Sequence, residues 1–318
     1  MNQYVKEQII GRGAYGTVFL CSDKARQNRQ CILKEIPMEQ VTPEERSTAL
    51  NEVQILKVLN HPNIVRYIDS ALESRALLIV MEYVTGGTLY DYLQRQNSPL
   101  SEELVLNFFV QIAVALGHIH SKNVLHRDLK TQNLLIDRQA RVLKISDFGI
   151  SKVLSSKSKA MTVVGTPCYI SPEVCDHRPY NQKSDIWAIG CILYELCTLK
   201  RAFEAPSLPA LVMKIMRANY APPPPIYSNN LRNIISKCLS LEPHRRPNTS
   251  QLLCDPMLFK TMQMLYADIG AYQPISSSKR PKNVTNSVAM NKPSYVRGSR
   301  VYLWGDGHLT PSELPVLS

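Results

Sequence analysis

The stretch from His126 to Gly149, HRDLKTQNLLIDRQARVLKISDFG, holds polar residues whose types and spacing could do chemistry. Asp128 and Asn133 lie in one polar cluster, and Asp147 follows after two short apolar runs, LLI and VLKI, separated by the polar turn DRQAR. Apolar runs flanking a polar turn read as a β-hairpin. Paired antiparallel strands lie about 5 Å apart, so the hairpin should return Asp147 to the neighbourhood of Asn133. Two carboxylates and a carboxamide then converge at its mouth. Oxygen donors of this kind suit Mg2+, which keeps several waters and shares its coordination with substrate phosphates.

The elements that must position these residues can be read on either side. Tyr4 to Val18 reads as strand, glycine turn and strand, with Gly11, Gly13 and Gly16 in a GxGxxG spacing. Dinucleotide-binding folds place that spacing before a helix, whereas Thr17-Val-Phe-Leu is β-branched and apolar and predicts a strand. A glycine-rich hairpin can instead lie over a triphosphate and offer it backbone N–H groups. Lys34 ends the next apolar run, CILK. Thr42-Pro-Glu-Glu opens a helix, with Thr42 as cap, Pro43 at the first helical position and Glu45 closing a capping box. Ala49, Val53 and Leu56 continue it at helical spacing up to Pro62, and Glu52 lies beside that stripe, facing inward.

Residues 76 to 84, ALLIVMEYV, predict a buried strand that runs out at Gly86-Gly87. Residues 101 to 121 are apolar at helical spacing and lead into the polar cluster. Ser184 begins another helix, SDIWAIGCILYELC, which is apolar on more than one face and so should be the buried centre of a helical region. Asp185 at its start reads as a cap. The Ser- and Lys-rich middle of the segment between Asp147 and Glu173 reads as a mobile loop.

H-R-D-L-K-T-Q-N followed by D-F-G resembles the catalytic loop and metal-binding triplet of eukaryotic protein kinases. TVVGTPCYISPEVC, YNQKSDIWAIGCILYELCTLKRAFEA and LPALVMKI are similar to the NIMA-related serine/threonine kinases, especially the ciliary members that carry RCC1-type repeats behind the kinase. The resemblance covers residues 4 to about 260. It implies an α+β, bilobal protein kinase fold with a small β-rich N-lobe over residues 1–84 and a larger helical C-lobe over 85–260. A disordered basic tail should follow, with a flexible linker over 261–300 and the incomplete start of an RCC1-like repeat over 301–318, where Val301-Tyr-Leu-Trp-Gly-Asp-Gly resembles an opening strand.

The same resemblance implies transfer of the γ-phosphoryl group of ATP to protein Ser/Thr hydroxyls, with Mg2+ as metal and Mn2+ able to substitute. Asp128 would orient the acceptor hydroxyl and take its proton, Lys130 would neutralise charge on the transferred group, and Asn133 and Asp147 would hold the metal. Ile10, Gly11, Arg12, Gly13, Ala14, Tyr15 and Gly16 would cover ATP. Lys34 would contact the α- and β-phosphates, with Glu52 as its ion-pair partner. Met81 would be the gatekeeper beside the adenine, and the Glu82 carbonyl and Val84 amide its hydrogen-bond partners. Val18 and Leu135 would sandwich the base, while Ile32 stands where the family expects Ala and adds bulk above it.

Further roles follow from the resemblance. Glu173 should pair with Arg246 of HRRP, and Asp185 should fasten the HRD backbone. Thr162 and Thr166 are the regulatory hydroxyls, with Arg127 as the partner of a phosphate on Thr162. The segment GTPCYISPE would receive the substrate, with Ser171 where Ala is more usual. Ile150, directly after D-F-G, would favour threonine acceptors, since a β-branched side chain is stiff at χ1.

Bulk properties narrow the alternatives. Of the formal charge of +11, six positive charges lie between Ile269 and Gly305, a stretch without Asp or Glu, so the folded part is only mildly basic and carries no independent nucleic-acid signal. The eight cysteines form no CxxC pair and read as reduced core residues of an intracellular protein. Asn248-Thr-Ser and Asn283-Val-Thr match a glycosylation acceptor pattern, read as chance because MNQYVKEQII lacks the apolar core of a signal peptide. No uninterrupted apolar run approaches the roughly 20 residues of a membrane span. The expected partners are protein substrates and ciliary or centrosomal anchoring proteins, and the expected location is cytoplasmic, at the cilium, basal body or centrosome.

Overall fold

Alternation of side chains across a pleated sheet decides which N-terminal residues meet. β1 (Tyr4–Gly13), β2 (Gly16–Asp23), β3 (Arg29–Pro37), β4 (Tyr67–Leu72) and β5 (Ala76–Glu82) form one antiparallel sheet in the order β1-β2-β3-β5-β4. Residues directly opposite one another share a face. The register therefore aligns Val18, Lys34 and Ile79 in one row and Leu20, Ile32 and Met81 in the next. The opposite face buries Tyr4, Cys21, Cys31, Leu33, Leu78 and Val80 in a small cluster of its own. The computed structural model describes residues 1–13, 16–39, 42–73, 75–147 and 167–266, with the side chains of Glu44, Glu45, Thr48 and Glu52 outside that description.

α1 (Pro43–Val58) begins at Pro43 as expected, with the Arg46 amide bonded to the Thr42 carbonyl at 2.9 Å. Its stripe of Ala49, Val53 and Leu56 is buried. The capping box falls on the Glu45 side chain, outside the described residues. The strand read over 76–84 ends at Glu82, where the chain leaves the sheet.

The second lobe is helical. α2 (Leu89–Gln94) is capped by Thr88, and α3 (Glu102–Ser121) by Ser101. A two-stranded ladder of β6 (Leu134–Ile136) and β7 (Leu143–Ile145) follows, then the short α4 (Pro172–Cys175), α5 (Gln182–Thr198), α6 (Leu208–Met216), α7 (Asn229–Cys238), α8 (Thr249–Leu253) and α9 (Pro256–Tyr266). By length and composition α3 could cross a membrane, but it is mostly buried, against α5, α8 and α9, as a core helix. α5 is the centre of this lobe, buried without interruption from Ser184 to Cys197.

Three expectations need correction. α5 starts at Gln182, because Asn181 is the cap and Ser184 closes the box from inside the helix. Residues 261–266, expected as linker, are helical instead: α9 continues to Tyr266 and buries Leu258 and Met262. Residues 267–318, including the RCC1-like start, lie outside the described residues. All eight cysteines are free, but Cys254 is exposed and Cys175 only half-buried, since each sits at the end of a short helix and not within an apolar stripe.

One ion pair ties α4 to the core. Arg246 bonds both Glu173 carboxylate oxygens at 2.8 Å, donates to the Ser240, Leu241 and Lys183 carbonyls, and lies 4.9 Å from the Trp187 ring. Burial alone would raise the Glu173 carboxyl, but hydrogen bonds from Arg246 and Ser184 outweigh it and hold it below the usual range. This stabilisation is therefore present at neutral pH and is lost as pH falls through the lowered value. Arg246→Ala strands a buried carboxylate and should cost about 3–5 kcal/mol of unfolding free energy, read from the urea midpoint at constant slope. A loss below about 1 kcal/mol would place the pair with ordinary surface bridges.

Candidate active site

The loop before β6 is held from below by a single carboxylate. Asp185, in the first turn of α5 and fully buried, accepts the His126 amide on Oδ2 and the Arg127 amide on Oδ1, both at 3.1 Å. His120 Nε2 lies 2.8 Å from Oδ2, and the Tyr180 hydroxyl donates to Oδ1 at 2.5 Å. Burial opposes the charge, but the bonds from His120 and Tyr180 prevail, so the carboxyl sits below its ordinary range. Arg127 is left-handed, with φ of 66°. A non-glycine residue in that region costs of order 1–3 kcal/mol and persists only where surroundings over-determine it. Asp185 supplies the tether.

His126 carries the restraint onward. Its Nδ1 accepts the Asp128 amide at 3.3 Å, and its Nε2–H donates to the Ser146 carbonyl at 3.0 Å. One nitrogen accepting and one donating is the neutral imidazole, in agreement with burial, which lowers the pKa of this side chain. Ser146 in turn donates its amide and its hydroxyl to the Asn133 carbonyl, at 2.9 and 3.0 Å. The expected hairpin is present, and it brings Asp147 back beside Asn133.

Asp128, Lys130 and Asn133 form one cluster. Lys130 Nζ and Asn133 Nδ2 each donate to Asp128 Oδ2 at 2.9 Å, and Asn133 Nδ2 also reaches the Asp128 carbonyl at 2.8 Å. These bonds fix the Asp128 rotamer and turn the Asn133 amide oxygen away from it. Asp147 is left-handed too, with φ of 51°, and its Oδ1 lies 2.7 Å from Lys34 Nζ. Lys34 thus reaches across from the sheet. The expected Lys34–Glu52 pair falls on a side chain outside the described residues.

The sheet and the segment after β5 form the other wall. The Gly86 amide donates to the Ile136 carbonyl, and the Ile136 amide to the Gly87 carbonyl, at 2.9 and 3.0 Å. A Cβ on Gly86 would lie 2.3 Å from the Asp137 carbonyl oxygen, so only glycine lets the chain approach β6 this closely. Leu135 bridges to Thr88 there, half-buried, as are Val18, Ile32 and Val84, while Met81 is buried. Ile10 and Arg12 are exposed near the end of β1, and Gly13 pairs with Gly16. Gly16 has φ of 137°, and a Cβ there would meet the Glu35 carbonyl at 2.0 Å. Ala14, Tyr15, Ile150, Thr162 and Thr166 lie outside the described residues.

Three polar groups escaped the sequence reading. Thr131 Oγ1 bonds Glu195 at 3.2 Å and the Tyr169 hydroxyl at 3.0 Å, and Tyr169 donates to Glu195 at 2.5 Å. Burial raises the Glu195 carboxyl, and the bonds from the two hydroxyls do not offset it. Glu82, besides its backbone, takes Lys144 Nζ at 2.7 Å and the Arg66 amide at 2.8 Å on Oε1. Asn63 and Gln111 join α3 to β7. The available signal was a charged or amide side chain inside an apolar run: Glu195 in ILYELC, Lys144 in VLKI.

The donor set suits a hard divalent cation, because Asn133 and Asp147 offer oxygen and no sulfur or imidazole. Lys34 and Lys130 flank the same space with positive charge. Asp128 faces the same cluster, with Lys130 Nζ and Asn133 Nδ2 both on its Oδ2.

The sequence pattern of the Protein kinase domain family matches residues 4–258. Serine/threonine-protein kinase Nek8 of Danio rerio is 49% identical over 340 residues, covering 100% of this chain and 49% of that protein. Serine/threonine-protein kinase nekl-2 of Caenorhabditis elegans is 43% identical over 296 residues, 90% of this chain and 83% of that protein. Serine/threonine-protein kinase Nek9 of Xenopus laevis is 38% identical over 98% of this chain and 33% of its own length. The chain therefore spans about half of the first relative and a third of the last.

Asp185→Asn replaces one acceptor oxygen by a donor facing other donors. It should raise hydrogen exchange at the His126 and Arg127 amides by about a hundredfold, equivalent to about 2.7 kcal/mol. Tyr180→Phe, which leaves both backbone bonds, should change them by less than about tenfold. Equal effects of the two variants would show that the backbone tether is not what holds the loop.

Proposed function

Because the chain belongs to the protein kinase family, among the NIMA-related serine/threonine kinases, we propose that it transfers the γ-phosphoryl group of ATP to Ser and Thr hydroxyls of protein substrates. The observation that carries this is the convergence of Lys130 and Asn133 on one oxygen of Asp128, beside the Asp147 returned by the hairpin. Asp128 orients the acceptor hydroxyl and takes its proton. Lys130 stabilises charge on the group in transfer. Asn133 and Asp147 hold Mg2+, or Mn2+ in its place, and the bound metal supplies charge neutralisation on the phosphates.

Lys34 binds the α- and β-phosphates, with Glu52 as its partner in the active state, under the glycine hairpin of residues 10–16. The adenine lies between Val18 and Leu135, beside Met81 and Ile32, and bonds the Glu82 carbonyl and Val84 amide. A phosphate on Thr162 pairs with Arg127, and Thr166 belongs to the same regulatory segment. Supported by similarity to the ciliary members of the family, the protein acts in the cytoplasm at the cilium, basal body or centrosome, with anchoring partners there.

Transfer of labelled γ-phosphate from ATP to a protein or peptide tests this directly. Asp128→Asn should lower kcat by about a hundred- to ten-thousandfold while ATP binding persists; a variant retaining a third of wild-type kcat would remove Asp128 from its role. Ile150 sets acceptor choice in this reading. Ile150→Phe should shift the Thr/Ser rate ratio on paired peptides about tenfold toward serine, a change of about 1.4 kcal/mol. An unmoved ratio would mean that this side chain exerts no choice.

A further inference from the structure

Tyr266 closes α9, past residue 258 where the family match ends. Its hydroxyl donates to Asn63 Oδ1 at 2.5 Å. Asn63 is buried, and its Nδ2 donates to Gln111 Oε1 at 2.7 Å and to the Leu143 carbonyl at 2.8 Å. A carbonyl can only accept, so these partners settle which end of the amide faces which. Gln111, from α3, takes the Leu143 amide on the same Oε1 at 2.8 Å. The Asn63 backbone carbonyl accepts the Ile145 amide at 2.8 Å, and the Ile145 carbonyl accepts the Val65 amide at 2.9 Å. Asn63 therefore grips β7 at Leu143 with its side chain and at Ile145 with its backbone. Two residues later comes Asp147.

Such a grip is needed. β6 and β7 pair over three residues each, and a two-stranded ladder is marginal by itself. It ends in a left-handed Asp147, whose backbone the local sequence does not favour. We propose that Tyr266 is a positioning residue for Asp147: through Asn63 and β7, the end of α9 sets where that carboxylate is delivered and so how tightly the site holds a divalent cation. A phenol is a donor at neutral pH, and burial moves the Tyr266 value further up. Without the hydroxyl, the buried Asn63 oxygen loses this donor, and the amide relieves the loss by turning or admitting water. Either response loosens its hold on the Leu143 carbonyl. The proposal rests on Asp147 being a metal ligand, and it makes the chain beyond residue 258 part of the working unit.

The test is Mn2+ binding to the full chain, followed by electron paramagnetic resonance in the presence of a non-hydrolysable ATP analogue. Tyr266→Phe should weaken Mn2+ about three- to tenfold, less than the ten- to hundredfold typical of groups touching a ligand. Asn63→Ala should weaken it similarly, and the double variant should add less than about twofold, the mark of one pathway. Analogue affinity in excess EDTA should stay at the wild-type value, as should Mn2+ affinity in Met264→Ala, an exposed site on the same helix. Unchanged Mn2+ affinity in Tyr266→Phe, with or without a lower Tm, overturns the proposal if Asp147→Asn weakens Mn2+ strongly. No loss in Asp147→Asn sinks the metal-ligand reading and the proposal with it.

Discussion

Asp185 is a carboxylate without exposed surface on which four donors converge, two of them backbone amides of the loop that carries Asp128. Burying such a charge unpaired would be prohibitive, and a paired one is tolerated only when its lone pairs are filled. Here they are filled by groups that have to be placed somewhere. The loop is thereby referenced to α5, which is buried without interruption from Ser184 to Cys197. From that anchor the order passes along: His126 to the Ser146 carbonyl, Ser146 to Asn133, and Asn133 to Asp128. Each step is a directional bond between groups of low exposure, so a shift at the start has few ways to be absorbed before the end.

Three further buried carboxylates do comparable jobs at other joints. Glu173–Arg246 fastens α4, Glu82–Lys144 fastens the end of β5 to β7, and Glu195 fastens Thr131 and Tyr169. Apolar packing is non-directional; it holds α3 against α5 but cannot orient a loop that offers few apolar side chains. Two of these buried carboxylates shift in opposite directions according to the donors they receive. Asp185 receives two backbone amides, His120 and a phenol and is held low, whereas Glu195 receives hydroxyls and burial wins.

Periodicity makes much of this fold legible in the sequence alone. The strand after the glycine turn, α1 with its Pro43 start and Ala49-Val53-Leu56 stripe, the apolar α3, the buried α5 and the β6–β7 hairpin all announce themselves in local patterns. Asp185 looked like a helix cap from the pattern, and its tie to the HRD backbone came from family resemblance. Asn181 was missed as the cap because Ser184, three residues later, is an equally good capping residue by type. The networks of Glu195, Lys144 and Asn63 were not legible, because their partners lie far away in sequence and a local pattern records one member at a time. The end of α9 escaped for a related reason: its last residue is held by a hydrogen bond to Asn63, across 203 residues.

The two left-handed residues show why a site of this kind must be assembled from distant parts. Arg127 and Asp147 both adopt a backbone that their own side chains disfavour, and the His126–Ser146 bond joins their immediate neighbours. Neither conformation is selected locally, so each is imposed: Arg127 by Asp185, Asp147 by the bonds on Ser146 and β7. The contact between Lys34 and Asp147 is different in kind. Asp147 is nearly half exposed, and an ion pair reached by water contributes about 1 kcal/mol or less. Its exchange for other partners would disturb little of the fold, whereas breaking the buried ties beneath would disturb much. Strong bonds fix where the carboxylates stand, and a weak one joins the sheet to the hairpin.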